Sequence, residues 1–156
     1  YSLRIASNET TVLVPVGNAD SVGLRRAIGD TEVDRLFRIL ADGKIDSQQN
    51  WKGRFKDNSE KMRTGSIYDV ADVLKSLTLL SKSKSLSFRE KRMLDRARFL
   101  IITEVAEVTS RVATSVEGIL DQALSKCIAA RSRNIEKAKA AKVPIKLPVV
   151  KRAKAS

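Results

Sequence analysis

The chain has 156 residues, with 30 Lys and Arg against 18 Asp and Glu, so its formal net charge is +12. It contains no His and one Cys, Cys127, which excludes an intrachain disulfide, a His-based catalytic triad and a Cys/His zinc cluster. No apolar run approaches the roughly 18 residues that a membrane-spanning helix needs. The sequence therefore predicts one domain or two small ones, without a transmembrane segment.

The positive charge is concentrated in two regions. Residues 51–98 hold 13 basic and 6 acidic side chains, and residues 126–156 hold 10 basic and 1 acidic. The remaining blocks, 1–50 and 99–125, are slightly acidic. Such a split indicates a polyanionic partner, with nucleic acid favoured over a membrane surface.

A β-hairpin is predicted at the start of the chain. Leu3 and Ile5 alternate with polar or small neighbours, a turn follows at residues 7–9, and the β-rich run Thr10–Val14 stops at Pro15. An isolated hairpin is only marginally stable in water. Either this hairpin packs on the helices, or the chain lacks the first strands of a small sheet, and we favour the second interpretation.

Five helices are predicted after Gly17, each with a recognisable start. Their start signals, in chain order, are Thr31–Asp34 as a capping box, Asp46-Ser47, Ser66–Asp69, Ser87–Glu90 as a full Ser-x-x-Glu box, and Thr114–Glu117. Apolar residues at helical spacing follow each signal, and aromatic residues are only 4% of the chain. Short links between five amphipathic helices predict a compact bundle with an aliphatic core.

The composition changes from about Lys126, where Lys and Arg alternate with small residues. This segment extends the last helix or forms helix-prone coil, until Pro144 and Pro148 stop any helix. It has few large apolar residues to bury, so disorder is expected beyond about Val143.

Signals for catalysis are weak. The turn Arg63–Ser66 resembles a phosphate nest, but one helix C-cap meeting the next N-cap explains it better. The Cys127 thiol lacks a second catalytic group and is expected to be inert. Acidic residues near other charges on helices are interpreted as ordinary surface groups: Asp69 with Asp72, Glu104 with Glu107, and Asp95 paired with Arg98. We therefore expect no enzyme activity, no cofactor and no metal.

The segment Asn50–Asn58 carries the one Trp, Trp51, among the cations Lys52, Arg54 and Lys56. On a helix Trp51 shares a face with Phe55. Both rings could fill core while the cations snorkel around them, which is the expectation for Phe55. Trp51 stands near the helix N-terminus, where core is scarce. There it could instead stack on a base or enter a minor groove while the cations hold phosphates.

The stretch Asn50–Ser66 resembles the start of the helical domain of CarD/CdnL transcription regulators. In that family a Trp-x-x-Arg-aromatic-Lys-x-Asn segment leads to a Glu-Lys-aliphatic sequence and a small-Gly turn, as it does here. The resemblance continues through Val70–Leu77 and Leu86–Leu94. Upstream, Thr11–Val16 and Val22–Arg25 resemble the closing strands and exit of the family's polymerase-interacting domain.

The resemblance and the composition together predict a mainly α fold in three parts. Residues 1–28 are expected to be the C-terminal remnant of a Tudor-like domain, a hairpin whose preceding strands are missing. Residues 29–125 are expected to form the five-helix DNA-binding domain. The resemblance does not extend beyond about residue 125, and from composition residues 126–156 are expected to form a disordered, basic Lys/Ala-rich tail.

The resemblance also implies two attachments. The β element would bind the RNA polymerase β subunit, with Val12, Leu13 and Val14 as its contacts. The helical domain would meet promoter DNA at the upstream edge of the transcription bubble, where Trp51 wedges into the minor groove and stabilises the open complex. The implied DNA-binding set is Trp51, Lys52, Arg54, Lys56, Lys91 and Arg92. Lys52 is included because Gly53 stands where some members carry a cation.

Two alternatives stay open. A nonspecific nucleoid- or ribosome-associated protein would act through the tail, Lys126–Ser156. A small nuclease is the least favoured interpretation because His is absent. For the transcription regulator we expect a monomer in the cytoplasm, at the nucleoid, with no membrane partner.

Overall fold

The computed structural model describes residues 1–5, 7–45 and 51–141, and it describes Trp51 through its place in a helix alone. The order of elements is β1 Ser2–Ile5, β2 Thr10–Leu13, a 3-10 turn Val16–Asn18, α1 Asp30–Ala41, α2 Trp51–Arg63, α3 Ile67–Ser83, α4 Phe88–Thr109 and α5 Ala113–Ala141. This confirms the predicted mainly α class, with an N-terminal hairpin followed by five helices. The disorder predicted beyond about Val143 lies outside the described residues.

The hairpin is a two-stranded antiparallel ribbon. Leu3 pairs with Val12, and Arg4 pairs with Thr11. In the turn, Asn8 Oδ1 accepts a hydrogen bond from the Thr10 N–H at 3.2 Å. The described part of the chain adds no third strand to this sheet. Each strand therefore keeps one edge whose backbone groups have no ladder partner.

The start of α4 matches its predicted capping box. The Glu90 N–H donates to Ser87 Oγ at 3.3 Å, and the Ser87 N–H donates to Glu90 Oε2 at 3.0 Å. Two groups that would otherwise lie unsatisfied at the helix N-terminus are paired in this way. Ser66 likewise occupies the predicted N-cap position of α3, although its side chain makes no capping hydrogen bond.

The predicted capping box at Thr31–Asp34 is wrong by two residues. The N-cap of α1 is Gly29, whose N–H donates to Glu32 Oε2 at 2.9 Å. The preceding Ile28 N–H donates to Glu104 on α4 at 3.1 Å, which fixes the chain just before the helix. This tertiary contact sets the helix start ahead of Thr31.

Helix α3 lies at the centre of the bundle and is buried on several sides. One of its faces joins a cluster with α1, α4 and α5, whose buried members include Leu36, Leu40, Ile67, Val70, Leu74, Ala97, Ile101, Leu120 and Leu124. Another face carries Val73 and Leu77, which pack with Leu86 and with half-buried Met62 and Met93. The core is aliphatic, as predicted.

Lys75 is an exception to this apolar interior, because it is only 2% exposed. Its Nζ donates to the Ile39 carbonyl oxygen at 2.9 Å and lies 3.2 Å from Asp42 Oδ1. The ammonium group thus meets the carbonyl end of α1, where the helix dipole favours a cation. A lysine of α3 thereby fixes the C-terminus of α1.

Helix α5 continues well past residue 126, so the predicted start of the tail falls inside a helix. Cys127 is 1% exposed, and burial raises the pKa of its thiol, in agreement with the expected inert role. Gly43 has φ +74, and a Cβ on it would lie 2.9 Å from Ala130 Cβ. Arg131 Nη1 donates to the Ile45 carbonyl oxygen at 2.8 Å. The loop after α1 therefore packs closely on α5 up to about residue 131.

Candidate nucleic-acid interface

Helix α2 presents its predicted DNA-binding residues in two directions. Lys52 and Lys56, one helical turn apart, are both exposed, whereas Arg54 between them is 6% exposed. Phe55 is half-buried. Trp51 is the first residue of α2, and its side chain lies outside the described residues, as do residues 46–50. The predicted start of this helix at Asp46-Ser47 therefore falls in the undescribed segment.

Arg54 forms a buried ion pair with Glu90 of α4. The distance from Arg54 Nη2 to Glu90 Oε1 is 2.9 Å, and the two side chains are 6% and 4% exposed. The second carboxylate oxygen of Glu90 accepts the N–H and the hydroxyl hydrogen bonds of Ser87. One carboxylate therefore caps α4 and holds α2 against it.

The local environment keeps Glu90 ionised. Burial on its own would raise the pKa of this carboxyl, but hydrogen bonds from Ser87 and Arg54 and the nearby guanidinium charge outweigh it. The resulting pKa lies below that of an ordinary glutamate. The Arg54 guanidinium is thus held inside the protein by a charged partner, and the structure does not present it to solvent as a phosphate contact.

The first turn of α4 carries the other predicted DNA-binding residues. Lys91 and Arg92 directly follow Glu90, and both are exposed. The Arg54–Glu90 contact links the first turn of α2 to the first turn of α4. Exposed cations flank both members of the pair along the sequence: Lys52 and Lys56 on α2, and Arg89, Lys91 and Arg92 on α4. We call this set, together with Trp51 at the start of α2, the basic face.

The predicted polymerase-binding residues lie on the hairpin, away from the basic face. Leu13 is 77% exposed and Val12 is 39% exposed, while Val14 is half-buried. At the hairpin tip, Ile5 and Ser7 border a groove of about 530 Å³ whose other wall includes Phe99 and Glu107 of α4. From Phe88 to Glu107 the helix rises by about 28 Å. The hairpin and the basic face are thus at opposite ends of α4.

A second ion pair holds the chain between the hairpin and α1. Arg25 Nη1 and Nη2 lie 2.6 and 2.7 Å from the two carboxylate oxygens of Glu104. Arg25 also donates through Nε to the Gly65 carbonyl oxygen, and Glu104 accepts the Ile28 N–H. Burial favours a raised pKa for Glu104, but these hydrogen bonds and the Arg25 charge lower it overall. We call this set the linker clamp.

Sequence patterns alone missed the linker clamp. Glu104 was expected to be an ordinary surface charge beside Glu107, yet its side chain is 16% exposed and paired with a residue 79 positions earlier. The predicted local pair of Asp95 with Arg98 is also wrong. Arg98 instead contacts Glu117 and Asp121 on α5, at 2.9 and 2.7 Å. The two terminal nitrogens of the Arg98 guanidinium each contact a different carboxylate of α5, so Arg98 bridges two acidic residues of the neighbouring helix.

Within ranges 1–5, 7–45 and 51–141, no group of three acidic or thiol side chains is placed to hold a metal ion. No helix in these ranges is long and apolar enough to cross a membrane.

Comparisons with known proteins agree with this architecture. Residues 35–121 match the family model described as CarD, C-terminal domain. The chain is also 31% identical over 105 residues to the Bacillus subtilis protein titled "Putative transcription factor YdeB". That alignment covers 67% of this chain and 69% of the Bacillus protein. The chain therefore belongs to the CarD family, a family of transcription regulators.

Proposed function

We propose that this protein binds RNA polymerase and promoter DNA together and stabilises the open complex. In this proposal the hairpin binds the polymerase β subunit, and the basic face meets DNA at the upstream edge of the bubble. Trp51 wedges into the minor groove there and slows bubble collapse. The protein would act in the cytoplasm, at the nucleoid, as a monomer and without catalysing a reaction.

The observation that carries the proposal is the Arg54–Glu90 pair. It links the helix that begins with Trp51 to the turn that carries Lys91 and Arg92, which supports a DNA-binding surface made of an aromatic residue and several cations. Cations on such a surface would bind phosphates without sequence preference, and the affinity would fall steeply with salt. An aromatic wedge is least costly where bases are already unstacked, which favours a bubble edge over intact duplex.

The buried position of Arg54 gives it a different role from the exposed cations of the basic face. Lys52, Lys56, Lys91 and Arg92 would touch phosphates. Arg54 would act as a positioning residue, since its guanidinium is occupied by Glu90 at 2.9 Å. Loss of Arg54 is therefore expected to weaken DNA binding indirectly, through a displaced α2.

The exposed hairpin supports the assignment of a polymerase contact. Val12 and Leu13 leave large apolar surface in solvent, on a strand with an open edge. A protein partner could cover both features by adding a strand and burying these side chains. Val14 would contribute less, because it is already half-buried.

The decisive experiment compares open-complex lifetimes on one promoter with wild-type protein and with Trp51→Ala. The lifetime is measured after a competitor challenge, and the variant is expected to shorten it by about tenfold, from the value of one lost aromatic–base contact. Trp51→Phe serves as the matched variant and should retain part of the effect. An unchanged lifetime would refute the wedge, as would unfolding of the bundle by Trp51→Ala in circular dichroism.

A separate capture experiment tests the polymerase contact. Leu13→Glu should abolish capture of the isolated polymerase β subunit by the full chain. Val112→Glu places the same charge at another exposed apolar position, between α4 and α5, and should have no effect. Equal capture by both variants would show that the hairpin does not make this contact.

One observation favours a second candidate function, nonspecific nucleic-acid binding through the tail. From Ser132 to Ala141 helix α5 is exposed throughout, with Arg133, Lys137 and Lys139 on it. Removal of residues 132–156 separates the two functions. If the tail only adds affinity, open-complex lifetime is largely kept; if binding to every DNA substrate is lost, the tail carries the function.

A further inference from the structure

Helix α4 carries two exposed phenylalanines that the proposed function does not use. Phe88 is 72% exposed and Phe99 is 52% exposed. Each ring leaves an aromatic face open to solvent, and such a face can stack on another planar group. Both residues lie on the side of α4 that faces away from the core residues Ala97 and Ile101.

Each phenylalanine is accompanied by an arginine of the same helix. The Arg92 guanidinium carbon lies 5.7 Å from the centre of the Phe88 ring, and the Arg96 carbon lies 5.7 Å from the centre of the Phe99 ring. Among the ion pairs of the described residues, none involves Arg92 or Arg96. Both guanidinium groups therefore have charge available for an anionic partner.

These four residues form a single line along the helix. At 100° per residue, Phe88, Arg92, Arg96 and Phe99 fall within about 80° of one another, and the two rings are about 16 Å apart along the axis. We call this line the α4 stripe. Arg89 and Lys91 flank its first turn, and Asp95 is the one carboxylate within it.

We propose that the α4 stripe binds single-stranded DNA, with unpaired bases stacking on Phe88 and Phe99. Aromatic and cationic groups placed along one surface are the usual means of holding a strand without regard to sequence. The charge of the stripe and its flanks, four cations against Asp95, favours a polyanion over an apolar or acidic protein surface. The spacing of the rings suits a short strand of a few nucleotides.

This inference rests on the proposed function and extends it. A wedge at the bubble edge leaves one strand unpaired beside the protein. The stripe begins at Phe88, next to Lys91 and within three residues of the Arg54–Glu90 contact, and it leads away from the basic face toward the hairpin. The separated strand would therefore follow α4 away from Trp51.

The test measures the affinity of the full chain for a labelled oligothymidylate by fluorescence anisotropy at fixed salt. Phe88→Leu keeps an apolar side chain but removes the aromatic face, and it should weaken binding by about tenfold. Phe99→Leu should act in the same direction. Val112→Ala is the matched control, because it truncates an apolar side chain that is 71% exposed away from the stripe.

Two further probes separate stacking from charge. An abasic strand of the same length offers the phosphates without the bases, so Phe88→Leu should leave its binding unchanged. A duplex of the same sequence should bind wild type and Phe88→Leu with equal affinity. If Phe88→Leu binds oligothymidylate like wild type, or loses affinity for the abasic strand as well, the stacking surface is refuted. A variant that binds the strand normally but no longer captures polymerase would assign the stripe to a protein contact instead.

The single-strand site and the Trp51 wedge can fail independently of each other. If the stripe variants bind oligothymidylate like wild type while Trp51→Ala still shortens the open-complex lifetime, this inference alone fails. If the stripe variants lose oligothymidylate affinity and Trp51→Ala leaves the lifetime unchanged, the wedge fails and the single-strand site stands.

Discussion

Two glutamates of helix α4, Glu90 and Glu104, each pair with an arginine from an earlier part of the chain, and the two pairs differ in their burial. Arg54 and Glu90 are almost fully buried, whereas the side chains of Arg25 and Glu104 are 35% and 16% exposed. The first pair holds α2 on the bundle, and the second holds the linker that follows the hairpin. Losing one partner of the buried pair is expected to destabilise the whole fold, because the other charge stays inside the protein. Losing one partner of the more exposed pair mainly frees the linker and is expected to change stability little.

Among the changes to these ion pairs, Arg54→Ala is expected to reduce stability most. Removing the guanidinium leaves Glu90 charged inside the protein, so we expect the free energy of unfolding to fall by about 3 kcal/mol. Urea denaturation gives the value. The double variant Arg54→Met/Glu90→Gln removes both charges and should recover more than half of the loss. A loss below about 1 kcal/mol for Arg54→Ala would show that the pair is not part of the core.

The acid limb of the stability curve tests whether both carboxylates act through their charge. The pKa of Glu90 and that of Glu104 are lowered in the folded protein, so their stabilisation is present above an ordinary glutamate pKa of about 4.3. This stabilisation is lost as the pH falls through the lowered pKa values of the two carboxyls in the folded protein. Thermal unfolding from pH 7 to pH 3 should show this decline, and Glu90→Gln should make it shallower. An identical pH profile for wild type and Glu90→Gln would contradict the assignment.

Arg25→Ala should have a smaller effect on stability, about 1 kcal/mol, because the pair is partly solvated. Its main effect is expected in the linker, where the Ile28 amide should exchange with solvent faster once Glu104 loses its anchor. Hydrogen exchange of this amide measures the change. Arg26→Ala, at the exposed neighbouring position, is the matched control and should leave the exchange rate unchanged. Slow exchange retained in Arg25→Ala would show that the clamp does not hold the linker.

Arg98→Ala is expected to lower the free energy of unfolding least among these variants. Arg98 bridges α4 to Glu117 and Asp121 of α5, but these acidic side chains are 51% and 57% exposed. We expect a loss of about 0.5 kcal/mol or less in urea denaturation, decreasing further with added salt. A loss as large as that of Arg54→Ala would mean that burial does not distinguish the pairs of this helix.

Local signals in the sequence were sufficient for much of the fold. The Ser87–Glu90 capping box and the turn at Gly65, which has φ +75, depend on residues within one or two helical turns, and both are found where expected. The N-cap of α1 was misplaced because Glu104, 76 residues beyond Ile28, fixes the chain before that helix. Contacts between distant residues leave no periodic pattern that one sequence can reveal.

The candidate site was predicted less completely for the same reason. Spacing grouped Arg54 with Lys52 and Lys56 as neighbouring cations, yet the helix turns Arg54 inward, where Glu90 is available. Glu90 was identified through its local capping role, and its second role depends on α2 lying beside α4. The Phe88–Arg92 pair is one helical turn apart and was readable from spacing, but only the 72% exposure of Phe88 distinguishes it from an ordinary core residue.

The central position of α3 has a consequence for how the bundle opens. Leu74 belongs to the cluster shared with α1, α4 and α5, while Val73 and Leu77 belong to the cluster shared with α4 and Met62 of α2. Exposing either cluster to water requires α3 to move, and moving α3 also disturbs the other cluster. The two clusters should therefore unfold as one cooperative unit, and the slowest-exchanging amides should be those of α3.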